Sequence, residues 1–111
     1  ELSLNDGVKW QTDKSTQTHI ASFNMKLDAF NGSEKENLAA YQSLATDLTQ
    51  ELNGLIKDCK MQGTEHDALH IWLVPVLEEV SELQKAPTVG QAKDPVRKLS
   101  KSLNEFKNYF R

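Results

Sequence analysis

The sequence has little cysteine and no long apolar run, and each shortage excludes a class of protein. Cys59 is the only cysteine among the 111 residues, so the chain cannot form an internal disulfide. Disulfide content therefore says nothing about its compartment. No segment approaches the run of about 18 apolar residues that crosses a bilayer. The chain is accordingly predicted not to span a membrane.

An excess of positive charge is also lacking. The chain carries 13 basic and 16 acidic residues, which are interspersed and give a formal net charge of -3. Proteins that bind nucleic acid present a basic stripe that neutralises phosphates. Nucleic acid is therefore not a predicted partner. The length and the apolar content of 38% are those of one globular domain.

Several catalytic and cofactor motifs are missing as well. The chain has no Glu-x-x-His pair for a di-iron site, no Cys-x-x-Cys-His for covalent haem and no glycine-rich phosphate loop. A non-covalent haem, held by His66 or His70 with Met25 or Met61, is an alternative. Cys59 and His66 could be drawn as a nucleophilic pair, but a thiol on a buried seam lacks the oxyanion donors that acyl transfer requires. The sequence therefore predicts a protein that is not an enzyme.

What the chain does have is four segments in which apolar residues recur at spacings of three and four. This is the period of one face of an α-helix. The second segment is the most regular, and it contains Gly54, which could permit the close approach of a neighbour. The stripe positions are Ile20, Phe23, Leu27 and Phe30; then Leu38, Tyr41, Ala45, Leu48, Leu52, Leu55 and Cys59; then His66, Leu69, Leu73, Val76, Val80 and Leu83; and finally Val96, Leu99, Leu103, Phe106 and Phe110.

Helix boundaries are predicted from capping and turn residues. The first helix covers residues 13–30, and the Asn-Gly-Ser turn at 31–33 ends it. Ser33 and Glu36 form a capping box for the second helix. Gly63 ends the second helix, and Thr64 caps the third.

Two prolines affect the later helices. Pro75 falls inside the third helix, where we expect a kink near Ile71 because proline removes a backbone donor. Pro95 is predicted as the first residue of the fourth helix, with Asp94 as its cap. The apolar residues at 89 and 92 share the phase of that helix, so an additional leading turn is an alternative.

Four amphipathic segments with short connections predict an all-α fold. The simplest arrangement is an antiparallel up-down-up-down four-helix bundle, in which each helix buries its apolar stripe. The bundle covers residues 13–111 as a single domain. Residues 1–12 are predicted to form a short irregular N-terminal arm, and Trp10 in this arm to pack against the end of the bundle.

In this topology the start of the first helix and the connection between the second and third helices lie at one end of the bundle. That end receives the only cysteine and all three histidines of the chain. His66 and His70 are four residues apart, so both imidazoles share a helix face and can chelate one ion. Sulfur donors combined with imidazole favour copper, with zinc second. The predicted metal ligands are Cys59, Met61, His66, His70 and His19.

Other roles are open for the same residues. Cys59 and Met61 could simply fill the core, and a histidine on an apolar seam is commonly a hydrogen-bonded structural residue. The bundle could then be a structural or protein-interaction module without a metal. Its partner would dock on an aromatic end of the bundle formed by Trp10, Trp72, Tyr109 and Phe110.

Two segments resemble a group of small, exported, largely uncharacterised bacterial four-helix-bundle proteins. They are residues 4–10, Leu-Asn-Asp-Gly-Val-Lys-Trp, and residues 59–73, which contain Cys59, Met61, Gly63, His66 and His70 at a similar spacing. The resemblance implies a periplasmic or secreted protein, and it brings no established site with it. A first residue other than methionine fits the removal of an export signal, or other trimming of the chain. The sequence thus predicts a non-enzymatic metal-binding protein of the cell envelope.

Overall fold

Residues 2–31 and 37–111 are described by a computed structural model. They form four α-helices, and apart from two isolated β-bridges no extended pairing occurs in these two ranges. The predicted all-α class is confirmed. The helices are α1 (Lys14–Asn31), α2 (Leu38–Asp58), α3 (Gly63–Lys85) and α4 (Val89–Tyr109).

Contacts between the helices define an antiparallel bundle. The hydroxyl of Ser102 donates to Glu79 at 3.0 Å, and Lys98 lies 3.5 Å from Glu82, so later positions in α3 meet earlier positions in α4. Helices α1 and α2 are also antiparallel, because Asp13, which precedes α1, contacts Lys60, which follows α2. The bundle is elongated, with principal extents of 43 × 24 × 22 Å.

The predicted apolar stripes meet in one core. Every helix contributes side chains that are less than 2% exposed, and they belong to a single hydrophobic cluster. Burying one leucine or phenylalanine contributes roughly 1.5–3 kcal/mol relative to leaving it exposed, so this cluster drives folding. The most fully enclosed apolar side chains are Phe23, Leu27, Leu48, Leu52, Leu55, Leu69, Leu83, Leu99 and Val76.

Helix α2 lies at the centre of the helix contacts. It packs along α1 and along α3, and α3 in turn packs along α4. Helix α4 makes more contacts with α2 across the bundle than with α1. The seam between α1 and α4 is therefore more open than the seams that join α1 to α2, α2 to α3 and α3 to α4.

The boundary between α2 and α3 differs from the prediction. Helix α2 ends at Asp58, and both Cys59 and Gln62 are extended, so Gly63 begins α3 instead of ending α2. Gly63 has a φ of +70°, a left-handed conformation that glycine adopts without steric cost, and the chain can therefore turn directly into α3. Thr64 lies inside the helix and is not its cap.

The start of α4 also differs from the main prediction. The hydroxyl oxygen of Thr88 accepts the backbone N–H of Gln91 at 3.1 Å, and α4 begins at Val89. This cap satisfies a first-turn donor, so the helix forms before the proline. Asp94 and Pro95 are inside α4, where Pro95 is buried. The additional leading turn is present.

The start of α1 agrees with the prediction. The carboxylate of Asp13 accepts the backbone N–H of Thr16 at 2.9 Å, which caps the helix. The predicted capping box of Ser33 and Glu36 lies outside the described residues. The cap of α2 is Asn37, whose side chain accepts a backbone N–H of the first turn.

The third helix is the longest, and it continues through Pro75 to its end at Lys85, as its periodicity predicts. The kink near Ile71 stays a prediction. Within the described ranges, no helix is both long and apolar enough to cross a bilayer.

The N-terminal arm is held against the C-terminal residues. Its residues 5–8 form a tight turn closed by two backbone hydrogen bonds of 2.8 and 3.0 Å. Trp10 follows and pairs in parallel with Phe110: its N–H donates to Tyr109 at 2.8 Å, and its carbonyl accepts the N–H of Arg111 at 2.9 Å. The Trp10 side chain packs against the core, in agreement with the prediction.

We expect Leu48→Ala to lower the free energy of unfolding by roughly 2–5 kcal/mol, because Leu48 is fully buried and the change leaves a cavity in the centre of α2. Ile56→Ala on the same helix is the matched control. Ile56 is 50% exposed, so its loss should cost less than about 1 kcal/mol. Urea denaturation followed by circular dichroism measures both values, and similar costs at the two positions would contradict this assignment of the core.

Candidate functional site

The connection between α2 and α3 carries two of the predicted ligands. Cys59 and Met61 are both partly buried and pack against the hydrophobic core. The backbone N–H of Cys59 donates to the carbonyl of Leu55 at 2.9 Å, which closes the last turn of α2. The two sulfur-bearing residues therefore lie at the end of the bundle where the sequence predicts a metal site.

His66 and His70 lie side by side in the first turns of α3. Their ring centroids are 4.4 Å apart and their planes are tilted by 48°, as the four-residue spacing predicts. His70 is exposed, whereas His66 is partly buried. The Nδ1 atom of His66 is fully buried and has no hydrogen-bond partner among the described residues. Leaving a buried polar atom unpaired costs about 1–3 kcal/mol, so this nitrogen is the group at the site most in need of a partner.

Met61 faces the start of α1. The hydroxyl of Thr16 lies 3.7 Å from the Met61 sulfur, and the two residues fill adjoining space at the end of the core. Met61 also lines a small cavity of about 240 Å³ together with Asp13 and Glu65. The thioether therefore lies between α1 and the connection to α3.

Asp13 ties this connection to α1. One carboxylate oxygen caps α1 at Thr16, and the other accepts the backbone N–H of Lys60 at 2.9 Å. Burial opposes ionisation of Asp13, but the hydrogen bonds from Thr16 and Lys60 outweigh it and hold the pKa below its ordinary value. The ionised carboxylate thus positions the segment that carries Cys59 and Met61.

His19 is bound to α2 through both ring nitrogens. Its Nδ1 lies 2.6 Å from Glu51, and its Nε2 lies 2.9 Å from Asp58. Hydrogen bonds to Glu51 and then to Asp58 raise the pKa of His19, and they outweigh the opposing effect of burial. A doubly protonated ring can donate to both carboxylates at once. His19 therefore joins α1 to α2 as an ion-paired residue.

Glu51 is the centre of this network. It accepts hydrogen bonds from Ser22 at 2.6 Å and from Lys26 at 2.8 Å, besides its contact with His19. Burial would raise the pKa of Glu51, but the bonds from Lys26, Ser22 and His19 lower it to about 2. We call the side chains of His19, Ser22, Lys26, Glu51 and Asp58 the α1–α2 polar network.

Gly54 makes room for the His19 ring. A Cβ atom at this position would lie 2.7 Å from Cε1 of His19, closer than side-chain atoms tolerate. The expectation that Gly54 permits the close approach of a neighbour is confirmed, and the neighbour is an imidazole. The short distance from His19 to both carboxylates depends on this missing side chain.

The five predicted ligands thus fall into three groups. His66 and His70 are together, Cys59 and Met61 lie on the adjoining connection, and His19 is engaged by carboxylates. Over residues 2–31 and 37–111, no set of three or more histidine, cysteine, aspartate and glutamate side chains is arranged to hold one ion. Sequence reasoning missed Ser22, Lys26, Glu51 and Asp58 of the polar network, and the glycine within the most regular helix was the one signal that pointed towards it.

The proposed aromatic end is largely enclosed. Trp72 and Phe110 are each 3% exposed, and Trp10 and Tyr109 are partly buried against the core. The Trp72 indole also donates to the carbonyl of Ser102 at 2.8 Å. These rings serve packing inside the bundle and do not form an exposed aromatic surface.

Comparison with known proteins does not extend the assignment: no protein-family model, curated protein or solved structure matches the chain.

We expect Gly54→Ala to destabilise the protein although alanine is the better helix former, because the new methyl group would displace His19. In a His19→Ala background the clash is gone, and the same change should stabilise α2 by up to about 1 kcal/mol. A double-mutant cycle based on urea denaturation measures the coupling. Equal effects of Gly54→Ala in the two backgrounds would contradict the contact.

The α1–α2 polar network should stabilise the fold most between about pH 4.5 and 6.5. The raised pKa of His19 gives stability that is present below its ordinary value of 6.5 and is lost as the pH rises through the higher folded value. The lowered pKa of Glu51 gives stability that is present above 4.5 and is lost as the pH falls towards 2. The difference in unfolding free energy between the native protein and His19→Gln should therefore be larger at pH 5.5 than at pH 9.

Glu51→Gln provides the control for this comparison. In that background the replacement of His19 should have a weaker pH dependence, because the carboxylate that contributes most to the raised pKa is gone. An unchanged pH profile in the Glu51→Gln background would show that His19 does not depend on Glu51.

Proposed function

We propose that this protein is a non-enzymatic metal-binding protein of the cell envelope that holds a soft transition-metal ion, copper in preference to zinc. The observation that carries the proposal is the His66–His70 pair, in which two imidazoles lie next to each other and a buried ring nitrogen has no hydrogen-bond partner within residues 2–31 and 37–111. The envelope location follows from the resemblance of residues 4–10 and 59–73. Fractionation of cells that express the protein from its natural gene would test that part.

Paired histidines at a spacing of four are suited to chelation. Both rings project from one face of α3, so binding the first nitrogen already brings the second close to the ion. The helix holds the two backbone positions fixed, which lowers the entropy that the protein loses when the metal binds. His66 and His70 are therefore the proposed primary ligands.

Sulfur donors on the adjoining connection support the preference for copper. Cys59 and Met61 are partly buried, and the contact of Met61 with Thr16 is a long one of 3.7 Å that a metal bond could replace. A thiolate and a thioether together with two imidazoles form a soft donor set that suits monovalent copper. If Met61 stays against Thr16, Cys59, His66 and His70 with one water would suit tetrahedral zinc once the connection moves, because these three side chains are not grouped around one point in the described ranges.

His19 is left out of the proposed ligand set. Both of its ring nitrogens already bind carboxylates, and a metal would have to displace Glu51 or Asp58 to reach either one. The haem alternative has less support, because Met25 is 71% exposed on the outer face of α1. Enclosure of the aromatic end similarly weakens the interaction alternative.

We expect the apo protein to bind copper(I) with a rise in its thermal midpoint, because a ligand that binds only the folded state stabilises it. His66→Ala and His70→Ala should each weaken binding by more than about tenfold, since loss of a ligand costs at least as much as loss of its supporting hydrogen bond. In the native protein copper should protect the Cys59 thiol from alkylation, and Cys59→Ser should weaken copper binding. Chelator competition and differential scanning calorimetry measure these effects.

His19→Ala is the matched histidine control, and at a temperature where it is folded it should keep the native affinity. Zinc titrated in the same way should bind more weakly than copper. If neither metal moves the midpoint and Cys59 stays freely alkylated, the protein is a structural or interaction bundle and the metal proposal is wrong.

A further inference from the structure

The open seam between α1 and α4 forms a groove that is lined by the N-terminal arm and these two helices. Two turns of α1, residues 17–24, face two turns around the end of α4, residues 103–110, across a cavity of about 460 Å³. Seven residues of helix span roughly 10 Å, which sets the length of the groove. We call this cavity the α1–α4 groove.

The floor of the groove is apolar. Ile20 and Ala21 line it from α1, and Leu103, Phe106 and Phe110 line it from the other side. Of these five side chains only that of Ala21 is exposed, and the others are edges of the buried core. Because Ile20, Leu103, Phe106 and Phe110 are 3–8% exposed, the apolar floor that they form is narrow, and Ala21 provides its most exposed part.

The two charged residues that line the groove are both basic, and an acidic side chain beside it, that of Asp28, accepts a hydrogen bond from the lining residue Asn24 at 3.4 Å. Lys9 and Lys107 line it, no acidic residue does, and neither lysine forms an ion pair with any residue in the described ranges. The whole chain has a net charge of -3, so this local excess of positive charge is not a property of the surface in general. A bound molecule with one negative group would complement it.

We propose that the α1–α4 groove binds a monoanionic amphiphile, a single hydrocarbon tail of medium length that ends in a carboxylate. The tail would cover the apolar floor and the carboxylate would lie between Lys9 and Lys107. The cavity volume is in the range of small-molecule sites, about 300–1,000 Å³. A docked protein helix is less suitable, because a specific protein interface needs roughly 1,000 Å² of buried surface, and a groove two turns long does not offer it.

The first test measures tail length by isothermal titration of the metal-free protein with hexanoate, octanoate, decanoate and dodecanoate below their micellar concentrations. Affinity should rise about fourfold for each added methylene until the groove is full, and then level off. Far-UV circular dichroism must stay native throughout. An affinity that does not depend on tail length, or binding that accompanies unfolding, would overturn the proposal.

The second test uses variants of the lining. Ala21→Phe should fill the groove and reduce decanoate affinity by more than about tenfold, because Ala21 is exposed and its replacement does not disturb the core. Ala29→Phe, at another exposed alanine of α1, is the matched control and should bind normally. Equal binding by both variants would place the ligand elsewhere.

The third test concerns the head group. Decanoate should bind more tightly than decanol, and the Lys9→Gln/Lys107→Gln variant should remove this preference while retaining the tail-length dependence. Lys57→Gln on the exposed face of α2 is the control and should keep the preference. Equal binding of acid and alcohol by the native protein would overturn the charge argument. Since no metal is present in these titrations, their outcome is independent of the copper proposal.

Discussion

Helix α2 contacts each of the other three helices, and its buried seam therefore determines where they lie. The seam runs without interruption from Tyr41 to Leu55, and four of its side chains are at most 2% exposed. Helix α1 lies against one side of it and α3 against the other, and α4 reaches it across the bundle. Helix α4 buries its apolar stripe mainly against α2 and α3. The seam between α1 and α4 is therefore left more open.

The same helix also separates two kinds of contact. Its apolar positions form the core, whereas Glu51, Gly54 and Asp58 lie on the flank that faces α1. A carboxylate that is 12% exposed would be costly alone, but three donors from α1 surround it. Apolar packing brings α1 and α2 together, and the polar network fixes how the two helices are aligned along their axes.

Periodicity was sufficient to predict the four helices and most of the core, because an apolar stripe is visible in the local sequence and is the face that becomes buried on folding. It indicated the observed start of α4 only as an alternative, because Asp94 and Pro95 looked like the start of the helix and the cap formed by the hydroxyl of Thr88 was not recognised. The His66–His70 pair was predictable for the same reason as the helices, since a spacing of four places both rings on one face. The ion pairing of His19 was not predictable, because its partners Glu51 and Asp58 are 32 and 39 residues away and come close only after α1 and α2 have packed.

The parallel pairing of the arm with the last residues has a mechanical consequence. Residues 10–12 and 109–111 run in the same direction and are joined by three backbone hydrogen bonds, of 2.8, 2.9 and 2.7 Å. Tension applied at the two ends of the chain would pull these segments past each other along their length, so all three bonds would carry the force together. Such shear geometry resists stretching better than an arrangement in which bonds open one after another. The four helices would therefore bear no tension until the pairing of residues 10–12 with 109–111 breaks.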